Sequence, residues 1–195
     1  MSSVYNTGVP MSLLSMQILA FVVFSLALVA LSWQSLRKRD SHGFYRFLAW
    51  EAMLPMALLN LPVWFVQPFA PLQIISWMLL FASLVWLGLG LKLIQAGVPG
   101  AERGDASLLA FEKTSQLVTT GIYGYIRHPL YGSLLLLTWG LFFKGVNGYT
   151  FVLAALATGF LVATARADER ECIAYFGAAY RDYMKRTKRF VPFLF

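Results

Sequence analysis

Five apolar runs separated by short polar intervals pattern this chain. The first, Met11 to Leu36, carries no charge and exceeds the roughly 20 residues a bilayer-spanning helix needs. It ends in Arg37-Lys38-Arg39-Asp40, with Arg46 close behind. The second run covers 47–69 and is interrupted by Glu51, Pro55 and Pro62. Proline is tolerated in a membrane helix when neighbours satisfy the freed carbonyls, so a kinked span is expected. Pro68 and Pro71 bracket a tight uncharged turn before the third run, 72–94. The second and third spans together read as an antiparallel hairpin. Residues 97–120 form the longest polar interval, with Glu102, Arg103, Asp105, Glu112 and Lys113. A short hairpin pairing 108–111 with 116–118 is expected inside it. The fourth run, 130–143, would make a helix of about 21 Å, short of a full bilayer crossing. Lys144-Gly145-Val146-Asn147-Gly148 then turns the chain, and the fifth run, 149–165, returns.

Beyond the fifth run, 168–187 has the spacing of an amphipathic helix. Ile173, Phe176, Tyr180, Tyr183 and Thr187 recur at steps of three and four, while Arg170, Arg181 and Lys185 fall off that stripe. Gly177 interrupts it at modest cost. The expected fold class is therefore all-α. It is an integral membrane bundle of about five transmembrane helices plus a C-terminal amphipathic helix, in one domain over 1–195. The long polar interval divides it into 1–96 and 97–195.

Composition supports the membrane reading. Hydrophobic residues make up 58% of the chain and charged ones 13%, against roughly 25% charged in soluble proteins. The net charge of +7 could suggest nucleic acid. The basic residues lie in the gaps between apolar runs, however, which fits an anionic lipid surface better. Lys and Arg number four in 37–46, four in 92–127 and seven in 166–195, leaving Lys144 as the exception. The positive-inside rule then places the N-terminus outside and the long loop and tail in the cytoplasm. No basic residue precedes the first run, so it reads as a retained span rather than a signal peptide. Cys172 is the only cysteine, and His42 and His128 are the only histidines. An intrachain disulfide is excluded, and no metal constellation is expected.

One stretch stands apart: Gly121-Ile122-Tyr123-Gly124-Tyr125-Ile126-Arg127-His128-Pro129-Leu130-Tyr131-Gly132. Pro129 suits a first helical position, and a fourth helix this short would begin below the lipid surface. Irregular backbone at that depth survives only where it lines a cavity or is packed in protein. Taken singly, each residue has an ordinary explanation. His128 could bond a neighbouring carbonyl, and Arg127 could be one more positive-inside charge. Asp168 and Glu169 could be solvated acids at a helix start. Gly88, Gly90 and Gly97 suit close packing, and no strand precedes them as a dinucleotide loop requires. Glu51, inside a span, is a functional candidate by default.

Jointly the residues say more. Gly-Ile-Tyr-x-x-Ile-Arg-His-Pro-x-Tyr is followed by a membrane hairpin, then Asp168-Glu169, Phe176-Gly177, Tyr180, Tyr183 and Arg189-x-x-Pro192. Over about 117–192 this resembles the isoprenylcysteine carboxyl methyltransferase and phospholipid methyltransferase superfamily of membrane enzymes. The resemblance implies variable spans over 1–96 and a cofactor-binding core over 97–195, with S-adenosylmethionine as methyl donor and Gly121, Tyr123, Arg127, His128, Pro129 and Tyr131 lining its pocket. Asp168 and Glu169 would complete the pocket, acids suiting a donor that carries a sulfonium and an ammonium. Arg127 or His128 would meet the donor's carboxylate. Prenylcysteine enzymes of the superfamily carry an Arg one turn before the acid pair, facing a substrate carboxylate. This chain has Thr164 there and Arg166 two residues on; both are candidate substrate contacts. The departure counts against a carboxylate acceptor and favours an amine, such as a phosphatidylethanolamine-type head group; an isoprenylcysteine-type carboxyl or a small-thiol acceptor is the alternative. An ammonium must lose a proton before it reacts, which burial helps, and Glu169 beside Asp168 is the expected proton acceptor. The implied partners are a lipid bilayer and a lipophilic methyl acceptor, with no nucleic acid and no metal. Two rival readings are a sterol-type membrane reductase, with a related His-Pro-x-Tyr segment and a nicotinamide cofactor, and a non-catalytic membrane scaffold.

Overall fold

A computed structural model of the chain describes residues 11–96 and 116–191. Among these residues the fold is all-α, with six helices. They are α1 (Met11–Leu36), α2 (His42–Asn60), α3 (Pro71–Ala96), α4 (Pro129–Lys144), α5 (Gly148–Phe176) and α6 (Ala178–Arg186). Three stretches, Leu13–Leu36, Pro71–Ile94 and Gly148–Phe176, are long and apolar enough to cross a membrane. Their outward side chains, among them Phe24 and Leu26 of α1, Phe81 and Leu84 of α3 and Leu156 of α5, are exposed. A continuous apolar surface of this kind suits lipid rather than water.

The first run forms its helix as expected, and the later elements depart from expectation in three places. α2 begins at His42, so Arg46 lies inside it. Ser41 caps its start, the hydroxyl accepting from the Phe44 N–H at 3.2 Å, as serine does well. α2 ends at Asn60 rather than near 69. Pro62, which lacks an N–H to donate, falls in the 3-10 turn Leu61–Val63. The second departure is in pairing. α3 packs chiefly on α4, and α2 packs on α1 and α5, so the second and third spans do not form the expected hairpin. The neighbour order across the bundle is α1, α2, α5, α4, α3.

Small residues and hydroxyls explain that order. A Cβ on Gly140 of α4 would stand 2.9 Å from Leu80 Cδ2 of α3, and one on Gly90 of α3 would stand 2.8 Å from Leu130 Cδ2. The two backbones can approach only because these positions are glycine. Ser76 donates to the Gly140 carbonyl at 2.7 Å and Ser83 to the Ser133 carbonyl at 2.8 Å. On the other side of the bundle, Ser25 of α1 donates to both carboxylate oxygens of Glu51 at 3.0 Å. Glu51 thereby joins α1 to α2. Between α2, α4 and α5 lies the apolar core, with Ala49, Met53, Met56, Leu141, Phe142, Ala154, Ala157 and Leu161.

The third departure concerns the tail. α5 continues without a break through Asp168 and Glu169 to Phe176, 29 residues in all. That is about 43 Å, well beyond a hydrocarbon core of about 30 Å. No glycine or proline occurs between Gly159 and Gly177, whose φ of +61° is open to glycine and strained for other residues. The separate amphipathic helix is thus Ala178–Arg186 alone. Of the short hairpin expected in the polar loop, 108–111 lies outside the described residues, as does Gly97. Residues 116–118 are described and are not in a strand.

Candidate functional site

The segment 121–128 reaches its position through a short series of backbone constraints. Gly121–Gly124 is a 3-10 turn, and Gly121 has φ +57°, where an added Cβ would also stand 2.7 Å from Leu93 Cδ1 of α3. Glycine is required there on both counts. The buried Tyr123 offers its carbonyl to the Tyr183 hydroxyl of α6 at 2.6 Å. The chain then extends, and Ile126 forms a parallel bridge with Lys188. Arg127 N–H donates to the Lys188 carbonyl at 2.8 Å, His128 N–H to the Arg189 carbonyl at 3.1 Å, and Lys188 N–H to the Tyr125 carbonyl at 2.9 Å. The C-terminal segment after α6 therefore supplies the partners that this irregular backbone needs.

Side chains converge on the same place. The buried Glu169 of α5 accepts from Arg127 Nη2 at 2.8 Å and Nε at 3.0 Å through Oε1, and from Arg189 Nη2 at 2.7 Å through Oε2. Arg127 Nη1 donates to the carbonyls of Met184 and Thr187. One carboxylate and two guanidinium groups thus tie α5, the pre-α4 segment and the C-terminal segment together with charge-assisted bonds. His128, at the start of α4, lies between two acids: Nδ1 is 3.4 Å from Asp168 Oδ2, and Nε2 is 3.5 Å from Glu169 Oε1. Burial lowers the imidazole pKa, but the two carboxylates outweigh it and the net direction is upward. The Tyr131 ring stacks on His128 at 5.3 Å, and Phe190 borders it at 6.2 Å.

A recess opens against this cluster. Of the positions singled out in the sequence, Tyr123, Arg127, His128, Pro129, Tyr131 and Asp168 line it. Gly121 and Glu169 do not: Gly121 shapes the turn, and Glu169 stands behind the lining in the arginine clamp. Thr164 is buried with its hydroxyl donating to the Phe160 carbonyl at 2.8 Å, and Arg166 is exposed; neither lines the recess. The recess also takes in residues to which the sequence assigns no site role, among them His42, Cys172, Phe176, Tyr180 and Tyr183. Burial raises the phenol pKa of Tyr180 and of Tyr183, so both hydroxyls stay protonated. His42 is the least legible of these. It looks like a loop residue until Ser41 is recognised as the cap that starts α2 beside α5.

The comparisons with known proteins bear on this site. Methanethiol S-methyltransferase 2 of Bradyrhizobium diazoefficiens is 36% identical over 74 residues, which is 38% of this chain and 28% of that protein. The match therefore spans just over a quarter of the relative's length. No solved structure matches the chain. The isoprenylcysteine and phospholipid methyltransferases that the motif resembles are not what these comparisons return; the curated match is named for a small thiol. A family described as "protein of unknown function (DUF1295)" matches residues 27–187, five of the six helices in whole or nearly so and every residue of the acid, arginine and histidine cluster except Arg189. The chain belongs to the DUF1295 family.

Proposed function

We propose that the protein is an S-adenosylmethionine-dependent methyltransferase, embedded in a membrane, that methylates a small apolar thiol. One observation carries the reading. Six of the eight positions that the motif resemblance links to the donor line one recess, Asp168 of α5 facing the five supplied by 123–131. The methanethiol S-methyltransferase relative supports the thiol as acceptor. An amine acceptor drew its case from Thr164, and that threonine is buried in α5 away from the recess.

The residues present fit the donor. Asp168 offers a carboxylate in a recess walled by Tyr131, Phe176 and Tyr180, and a cation is stabilised both by an acid and by aromatic faces. When bound, the donor supplies the methyl group on its sulfonium. Arg127 has its guanidinium committed to Glu169, Met184 and Thr187 and His128 turns both ring nitrogens to acids, so the two favour the donor's carboxylate by their positive charge on the recess wall. Glu169, held by two guanidinium groups behind the recess, acts as an anchor that positions Arg127 and His128. It is poorly placed to accept a proton. Methyl transfer is an in-line displacement that gains chiefly from positioning, and a recess built on three cross-linked segments provides that. The proposed topology has five spans, with α2 and α4 crossing as short helices inside the bundle, the N-terminus outside and the recess on the cytoplasmic side.

Calorimetric binding of S-adenosylhomocysteine to detergent-purified protein tests the donor site, with NADPH as the comparison. Binding that Asp168→Asn weakens at least tenfold, together with methylation of methanethiol or ethanethiol by the wild type, is the expected result. Binding of NADPH in its place would replace the reading with the reductase one.

A further inference from the structure

α5 carries a second face that the recess does not use. Val152, Ala155, Leu156, Gly159 and Ala163 line an apolar groove along it, beside Tyr45 of α2. They recur at steps of three and four, so they form one stripe on the helix. The same steps continue to Arg166 and Arg170, both exposed. Asp168, between them in sequence, faces the other way and lines the recess. Gly159 is the informative position. It sits within the span, where glycine is less favourable than alanine, and a Cβ there would meet nothing within 4 Å. No neighbour among the described residues calls for glycine, in contrast to Gly90 and Gly140. Close packing against the helix backbone by a molecule from outside the chain accounts for it.

Length and charge identify that molecule. α5 is one of the three stretches able to cross a membrane, and the groove runs from Phe151 to Ala163, about 18 Å along the axis. One leaflet of hydrocarbon is about 15 Å deep, half of a core of about 30 Å. Neither Arg166 nor the Tyr45 hydroxyl makes a hydrogen bond or ion pair among the described residues. Arg170 donates to the Asp40 carbonyl at 3.3 Å through one nitrogen. All three stand at one end of the bundle, because His42, three residues before Tyr45, donates its N–H to Glu171 of α5 at 2.9 Å. An apolar groove that ends in two guanidinium groups and a phenol complements a phospholipid, with its acyl chain in the span and its phosphate at the interface. A second copy of the chain fits less well. Inserted in the same orientation, it would bring its own Arg166 and Arg170 against these like charges.

We propose that this groove is a binding site for an anionic glycerophospholipid. One acyl chain lies along 152–163, and the phosphate meets Arg166 and Arg170, with the Tyr45 hydroxyl donating to the head group. The site depends on the membrane reading of α5 and is independent of methyl transfer. It also gives Arg166, which stands outside the recess, a partner on the opposite face of the same helix.

Native mass spectrometry of the detergent-purified chain, titrated with phosphatidylglycerol or with phosphatidylcholine of equal chain length, reads the affinity for the first lipid bound. Wild type is expected to hold phosphatidylglycerol more tightly, by about fivefold for each arginine engaged. Arg166→Gln should lose about fivefold for phosphatidylglycerol and leave phosphatidylcholine nearly unchanged. Gly159→Leu fills the groove from its open side and should weaken both lipids by about tenfold. Its Tm should not fall below that of wild type, since a Cβ at that position meets no neighbour. Should that variant not fold, Ala155→Leu on the same exposed stripe replaces it. Equal affinity of wild type for the two lipids would overturn the proposal. So would wild-type phosphatidylglycerol binding by Arg166→Gln, or wild-type binding of both lipids by the groove-filling variant. A dimer mass that the groove-filling variant removes would give the groove to a second copy and overturn the lipid as its occupant.

Discussion

Glu169 is the residue on which the rest of the cluster depends, because both of its oxygens are engaged by fixed cations. Removing Arg189 leaves it with Arg127 as its guanidinium partner and frees the C-terminal segment to lift from 125–128. Arg189→Ala should lower unfolding free energy by about 1.5–3 kcal/mol, the range for a hydrogen bond to a charged group. Arg189→Lys should recover only part of this, since an ammonium lacks the planar fork. Urea denaturation monitored by tryptophan fluorescence, in one detergent, measures both. His128 makes a pH-dependent contribution of definite sign. Its pKa in the fold lies above 6.5, so its stabilisation is fully present below pH 6.5 and is lost as pH rises through the folded value. The Tm of wild type should therefore fall across that interval more steeply than that of His128→Gln. Equal slopes would show that the imidazole charge does not support the fold.

At the scale of elements, Gly177 decides where α5 stops and α6 begins. Its φ is +61° and a Cβ there would meet nothing within 4 Å, so a substitution is opposed by backbone conformation alone. Gly177→Ala should cost about 1–3 kcal/mol. It should also speed amide exchange in 178–190 more than in the α2, α4 and α5 core. A uniform change across the chain would show that the hinge is not a local device. The same element marks what the sequence conceals. Hydropathy falls after Ala165, where the apolar run ends, yet Ala167, Glu169, Arg170 and Glu171 are good helix formers and nothing interrupts the hydrogen-bond ladder before Gly177. Hydropathy therefore marks the apolar run and misses the end of the helix. Met11–Leu36 and the start of α4 at Pro129 were legible because their limits coincide with charge and with proline. Tyr123, Arg127, His128 and Asp168 could be found from a motif, since their spacing is local on either side of one hairpin. His42 could not, because its partner Glu171 is distant in sequence and the two meet only once α2 lies against α5.

At the scale of the whole molecule, the pairing of helices was the part least open to sequence. Lipid gives no hydrophobic preference for one helix neighbour over another, so the order α1, α2, α5, α4, α3 depends on local fits such as Gly140 against Leu80 and Ser83 against the Ser133 carbonyl. The bundle nonetheless imposes a testable asymmetry. The Arg127–Glu169–Arg189 clamp and the His42–Glu171 pair lie at one end. The α4–α5 turn lies at the other, where Lys144 sits 3.2 Å from the Trp77 ring centre and donates to Gln73 at 2.9 Å. Lys144 is the one basic residue outside the three positive clusters, and its enclosure by Trp77 and Gln73 masks its charge from the membrane surface. The proposed topology therefore puts 145–149 outside and 37–41 inside. In a Cys172→Ser background, Val146→Cys should react with an impermeant maleimide on intact cells, and Arg39→Cys should react only after permeabilisation. Labelling in the reverse order would place the recess on the external face, where S-adenosylmethionine made in the cytoplasm could not reach it, and would count against the methyltransferase reading as well as the topology.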